Sequence, residues 1–158
     1  MYLQNNKTVL EASDLHNYQL SAINHIMDNP HCGLFLDMGL GKTTSTLTAI
    51  NSLINEELEI DKVLVIAPKR VAESVWSAEI DKWAQLKNLT ISKVIGSEKQ
   101  RKAALKVKAD IYTLGRDNTA WFQGQFGGGL PQLENWMLVI DESSSFKNHA
   151  SIRFKALK

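Results

Sequence analysis

Between residues 33 and 58 an apolar run, a glycine-rich turn and an amphipathic segment follow one another, and this succession restricts the folds open to the chain more than any other feature. Gly33-Leu34-Phe35-Leu36 reads as a buried strand, and Leu47, Ile50, Ile54 and Leu58 recur at helical spacing after it. The turn between them is Asp37-Met38-Gly39-Leu40-Gly41-Lys42-Thr43. A turn of this kind aims backbone N–H groups from the positive end of a helix dipole, where an anionic phosphate is best held. In such a loop Lys42 reaches the β- and γ-phosphates and the Thr43 hydroxyl ligates Mg²⁺. The general pattern carries a glycine where this chain has Leu36. The strand before and the helix after supply the context that the motif demands, so nucleotide binding is expected.

At 158 residues the chain is long enough for one domain with a sizeable core, and 44% hydrophobic with 22% charged residues is ordinary for a globular protein. No apolar run approaches the roughly 20 residues needed to cross a bilayer, so no membrane partner is expected. Met1 to Glu11 has neither a basic start nor an apolar core and does not read as a secretory signal. A single cysteine, Cys32, excludes an internal disulfide and fits a reducing cytoplasm. His31 beside Cys32 lacks the second pair a metal site needs and reads as a turn after Asn29-Pro30. Metal is expected only with the nucleotide. A net charge of +1 gives no global signature of nucleic-acid binding, which weighs against a DNA-coating protein but not against a local grip on a few phosphates.

Five apolar, β-branched runs alternate with helical patterns. The expected strands are Gly33–Asp37, Lys62–Ala67, Leu89–Ile95, Ala109–Leu114 and Trp136–Asp141. The expected helices are Asn17–Asp28, Lys42–Glu57, Val71–Leu86, Ser97–Val107, with a capping box from Ser97 and Gln100, and a short one near Asp117–Phe122. Such alternation means an α/β fold with a mainly parallel sheet covered on both faces. Ligands in these sheets sit beyond the carboxyl ends of the strands. Gly124 to Gly129 reads as a flexible loop, and Phe146 to Lys158 as a polar helix that stops without a cap, as in a truncated domain.

The strand Trp136-Met137-Leu138-Val139-Ile140 delivers Asp141-Glu142 at its carboxyl end. Phosphoryl hydrolysis on a phosphate-binding loop needs one carboxylate for the Mg²⁺ shell and one to orient or deprotonate water. Asp141 suits the first task and Glu142 the second. An acidic pair after a strand can also simply cap a helix, but about 100 residues after Lys42, across several strand–helix units, the catalytic reading is favoured.

Motif by motif the chain resembles the first RecA-like domain of superfamily 2 helicases, in the Swi/Snf-like translocase branch. Leu15-His16-Asn17-Tyr18-Gln19-Leu20 resembles the glutamine motif, whose Gln reads the adenine edge. Asp37 to Thr43 resembles motif I, and Val65-Ile66-Ala67-Pro68 with Trp76, Glu79 and Trp83 resembles motif Ia and the helix after it. Asp141-Glu142 with Lys147-Asn148 resembles motif II, in the form of phage- and prophage-encoded members.

The resemblance implies a three-layer RecA-like fold, truncated after the motif II strand. It further implies ATP and Mg²⁺ as cofactors, and as partners duplex DNA and a second RecA-like domain of the same protein. A cytoplasmic setting in a bacterial or phage-infected cell follows as well. The nucleotide-binding candidates are Gln19, Met38, Gly39, Leu40, Gly41, Lys42, Thr43 and Thr44. The catalytic candidates are Lys42, Asp141 and Glu142, with Thr43 and Asp141 on the metal, and the DNA candidates are Lys69, Arg70 and Arg116. Ser144 stands where the family usually has a histidine, and nothing here resembles motif III or the arginine fingers of the second domain.

Without those fingers, worth about 10³–10⁵ in rate, the chain alone is expected to hydrolyse ATP poorly. The alternative is a nucleotide-dependent binding module that switches a partner without translocating. A small-molecule kinase would need a lid, and no arginine-rich lid segment is present. Trp76, Ile80 and Trp83 share one helical face and are expected to pack on the sheet. Lys99, Arg101, Lys102, Lys106 and Lys108 are expected to form a solvated face.

Overall fold

The computed structural model describes residues 9–34, 36, 39–126 and 135–142. Expectations for Phe35, Asp37, Met38, residues 127–129, Ser144, Lys147-Asn148 and the helix from Phe146 lie outside these residues. Strands β1 (Lys62–Ala67), β2 (Ile91–Val94), β3 (Ile111–Gly115) and β4 (Trp136–Ile140) form one sheet in the order β2-β3-β1-β4. All three pairings are parallel, so the carboxyl ends of the strands share one rim.

β1 is central and buried on both faces, which is why its sequence is a continuous apolar run rather than an alternation. Val63, Val65 and Ala67 face one side, where they meet Leu47 and Ile50 of helix α2 (Lys42–Asn55) and Trp76 and Ile80 of helix α3 (Trp76–Lys82). Leu64 and Ile66 face the other side with Leu114 and Phe122, beneath helices α4 (Glu98–Lys106) and α5 (Thr119–Gly124). Helix α1 (Asn17–Asp28) packs its Ile23 and Ile26 on Ala49 of α2. The Ser97 capping box forms as expected: the Ser97 hydroxyl accepts from the Gln100 N–H, and the Gln100 side chain accepts from the Ser97 N–H at 2.9 Å.

Three expectations are corrected. Gly33, Leu34 and Leu36 belong to no strand among the described residues. Leu34, half-buried, instead packs against the cluster of Ile23, Ile26 and Ala49. The helix expected over Val71–Leu86 is divided into a π-helical turn (Val71–Val75), α3 and a short 3₁₀ turn (Ala84–Leu86). The break falls at Trp83, which is extended because it forms a parallel bridge with Leu10, whose N–H donates to the Lys82 carbonyl at 2.8 Å. Apolar spacing continues through the break because Trp83 and Leu86 are both buried. Finally, Arg101 does not sit on a purely solvated face. Its guanidinium stacks over Trp121, 4.3 Å from the ring centroid, and donates to the Asn118 side chain.

Candidate functional site

The phosphate-binding turn has the backbone its glycines permit. Gly39 (φ +82°) and Gly41 (φ +74°) are both left-handed, a region that L side chains rarely enter. A Cβ on Gly41 would also collide with the Gln19 amide nitrogen, whereas one on Gly39 would meet nothing within 4 Å. The outer face of the loop is therefore open while its inner face is closed by Gln19. Gly41 caps α2, and its carbonyl accepts the first helical bond, from the Ser45 N–H at 2.9 Å. The first N–H groups of α2 have no helical partner, the arrangement in which a helix N-terminus can bind an anion.

Lys42 is exposed at the start of α2, Thr43 and Leu40 are half-buried, and Thr44 is buried. The Thr44 hydroxyl points inward and donates to Oε2 of Glu79 at 2.8 Å. Of the Thr44 groups proposed for nucleotide, this leaves the backbone N–H. Burial pulls the Glu79 carboxyl up, but hydrogen bonds from Lys82 and Thr44 and the Lys82 charge outweigh it and hold the group below its ordinary value. Glu79 thus stays ionised as the acceptor for both.

Gln19 is buried, not an exposed helix residue. Its side-chain carbonyl accepts from the His16 N–H at 2.9 Å, which caps α1, and its amide nitrogen faces Gly41. Reading both adenine N6 and N7 takes an acceptor and a donor, and here the acceptor already serves His16. The rings of His16 and Tyr18 stack beside it, with centroids 5.4 Å apart.

At the far end of β4 the Asp141 N–H donates to the Ile66 carbonyl at 2.8 Å, extending the ladder by one step and fixing the chain there. The Asp141 Oδ2 accepts from the Trp76 indole N–H at 3.3 Å. Trp76 and Glu79 are three residues apart on α3, a spacing that puts them on one face. The first turn of α2 and the end of β4 therefore both anchor on a single turn of α3, which brings the loop and the acidic pair to the same rim. Glu142 has φ +58°, and its Oε2 lies 3.7 Å from Arg116 Nη1.

Lys69 and Arg70, after β1, are exposed. A Cβ on Gly115 would stand 3.8 Å from the Lys69 Cα, so the segments after β1 and β3 adjoin. Arg116, the third DNA candidate, lies beside Glu142 at the same rim. Reasoning from sequence missed two partnerships, Trp76 with Asp141 and Glu79 with Thr44. The one available signal was that a buried indole N–H usually needs a partner.

Among the described residues there is no group of three or more His, Cys, Asp or Glu side chains that could hold a metal. The donors present, one hydroxyl and one carboxylate beside an open phosphate cradle, fit Mg²⁺, which binds through one or two carboxylates plus substrate phosphates. No helix among the described residues is long and apolar enough to cross a membrane.

Residues 18–158 match the family model described as SNF2-related domain. Protein p41 of Acyrthosiphon pisum secondary endosymbiont phage 1 is 39% identical over 132 residues, covering 83% of this chain and 28% of that protein. Chromodomain-helicase-DNA-binding protein 1 of Gallus gallus is 28% identical over 160 residues, covering 93% of this chain and 9% of that protein. The Sulfolobus solfataricus SWI2/SNF2 ATPase core in complex with dsDNA superposes with a TM-score of 0.70 at 24% identity, covering 96% of this chain and 31% of that one. The fold is thus shared, and the chain spans well under a third of the length of these curated relatives.

Proposed function

This chain belongs to the SNF2-related domain family, and we propose that it is the first RecA-like, ATP-binding domain of a DNA-dependent ATPase that moves on duplex DNA or remodels protein–DNA complexes. The observation that carries the reading is the shared anchorage on α3, Thr44 through Glu79 and Asp141 through Trp76. In this reading the backbone N–H groups of Met38 to Thr44 cradle the phosphates and Lys42 neutralises the terminal ones. The Thr43 hydroxyl and the Asp141 carboxylate hold magnesium, which supplies charge neutralisation on the transferring phosphoryl group. Glu142 orients and deprotonates water, and Gln19 lies at the edge of the base. Lys69, Arg70 and Arg116 meet DNA phosphates on the rim beyond β1 and β3, a positioning role without sequence readout.

A second RecA-like domain is the proposed partner, closing on the nucleotide and supplying the arginine fingers. The phage relative supports a setting inside a bacterial host. The test is ATP turnover by the protein carrying both ATPase halves, with and without duplex DNA. Turnover that rises with DNA is expected. Nucleotide binding with turnover indifferent to DNA would replace the motor by a nucleotide-dependent switch.

A further inference from the structure

We propose that Trp76 is a positioning residue for Asp141, its indole N–H holding one carboxylate oxygen so that the remaining lone pairs face the magnesium shell. The proposal rests on the nucleotide reading above and deepens it. Trp76 is 2% exposed and its ring sits in the core with Leu47, Val65, Ala67 and Ile80, so packing fixes its orientation. An indole N–H is a donor only, and here it reaches Asp141 Oδ2 at 3.3 Å, across 65 residues of sequence. An ionised carboxylate can accept about four hydrogen bonds or metal contacts, so this bond uses one and leaves the rest.

The backbone before Trp76 is shaped for this contact. Val71–Val75 winds as a π-helical turn, a rare form that recurs at functional sites. The fully buried Thr113 on β3 donates its hydroxyl to the Ala72 carbonyl at 2.8 Å. This bond ties the turn to the sheet from outside the helix. The wide turn leaves both Ala72 and Trp76 buried against the sheet, with Val75 between them turned outward. The carboxylate is therefore held from two sides: its backbone by the ladder to Ile66, and its side chain by an aromatic ring wedged into the core. Outer partners of this kind typically set metal affinity by about 10–100-fold.

The experiment compares the full chain with Trp76→Phe, which keeps most of the ring and removes the N–H. A fluorescent non-hydrolysable ATP analogue is titrated without magnesium and then at increasing Mg²⁺. The expected result is a magnesium midpoint raised about 10-fold or more, with magnesium-free affinity for the nucleotide unchanged. Because Phe leaves a gap in the core, benzothienylalanine is also placed at position 76, filling the indole volume with sulfur in place of N–H. It is expected to show the same raised midpoint. A wild-type midpoint with the isostere overturns the proposal, since packing alone would then suffice. An equal loss of affinity with and without magnesium overturns it too, in favour of a purely structural role. A wild-type chain that does not bind the analogue removes the underlying nucleotide reading, and one that binds it without regard to magnesium overturns the proposal itself.

Discussion

Glu142→Gln is expected to slow ATP hydrolysis about 10²–10⁴-fold, the usual loss when a positioned general base is removed, while nucleotide still binds. Gln keeps the shape and an oxygen for Arg116 but cannot take a proton from water. The position of Glu142 favours a chemical over a binding effect: it follows Asp141 beyond the end of β4 and is exposed, with its carboxylate 3.7 Å from Arg116. Steady-state turnover by the protein carrying both ATPase halves, together with equilibrium binding of the nucleotide, checks the separation. Loss of both in parallel would show that Glu142 supports the fold of the rim rather than the reaction.

Lys42→Ala is expected to fail one step earlier, at binding. The loop amides and the α2 dipole remain, but the unit charge that neutralises the terminal phosphates is gone. Removing one member of a close charge pair typically costs about 2–5 kcal/mol, a weakening of roughly thirty-fold to several thousand-fold. Lys42 is exposed at the start of α2, so little stability should be lost with it. Titration of ATP into wild type and variant, with a thermal melt of each, is the measurement. Unchanged affinity would remove Lys42 from the site. The contrast between the two variants is itself informative, because the account assigns one to binding and the other to chemistry.

What the sequence made legible were features whose cause lies within a few residues. The β1 run, the bounds of α1, the Ser97 capping box and the placing of Asp141 at a strand end all depend on local pattern, and each appears in the structure. The departures have distant causes. The π-helical turn is tied to a Thr113 hydroxyl 41 residues away, and the break at Trp83 to Leu10 far upstream. Neither is visible in the spacing of Val71 to Leu86, where the buried positions keep a helical rhythm.

The site shows the same division. The glycine turn and the helix after it were legible because their causes are local. The partners that orient the motif residues were not. Trp76 was legible as core, and it is core, yet its one polar atom reaches a carboxylate brought alongside only by the β1–β4 pairing. Gln19 was read as a contact for the base, whereas its capping of α1 through His16 depends on how the turn before that helix is set. The closeness of Arg116 to Glu142, which follow β3 and β4 with β1 between them, obeys no sequence rule.

Manganese in place of magnesium offers the most direct examination of whether loop and acidic pair serve a single cation. With nucleotide and Mn²⁺ added, NMR spectra should lose the backbone amides of Lys42 to Thr44 and the Trp76 indole N–H together, through paramagnetic broadening from one bound ion. If the loop amides vanish while the Trp76 indole signal stays sharp, Asp141 does not share the ion held at the loop, and the proposed catalytic site is wrong.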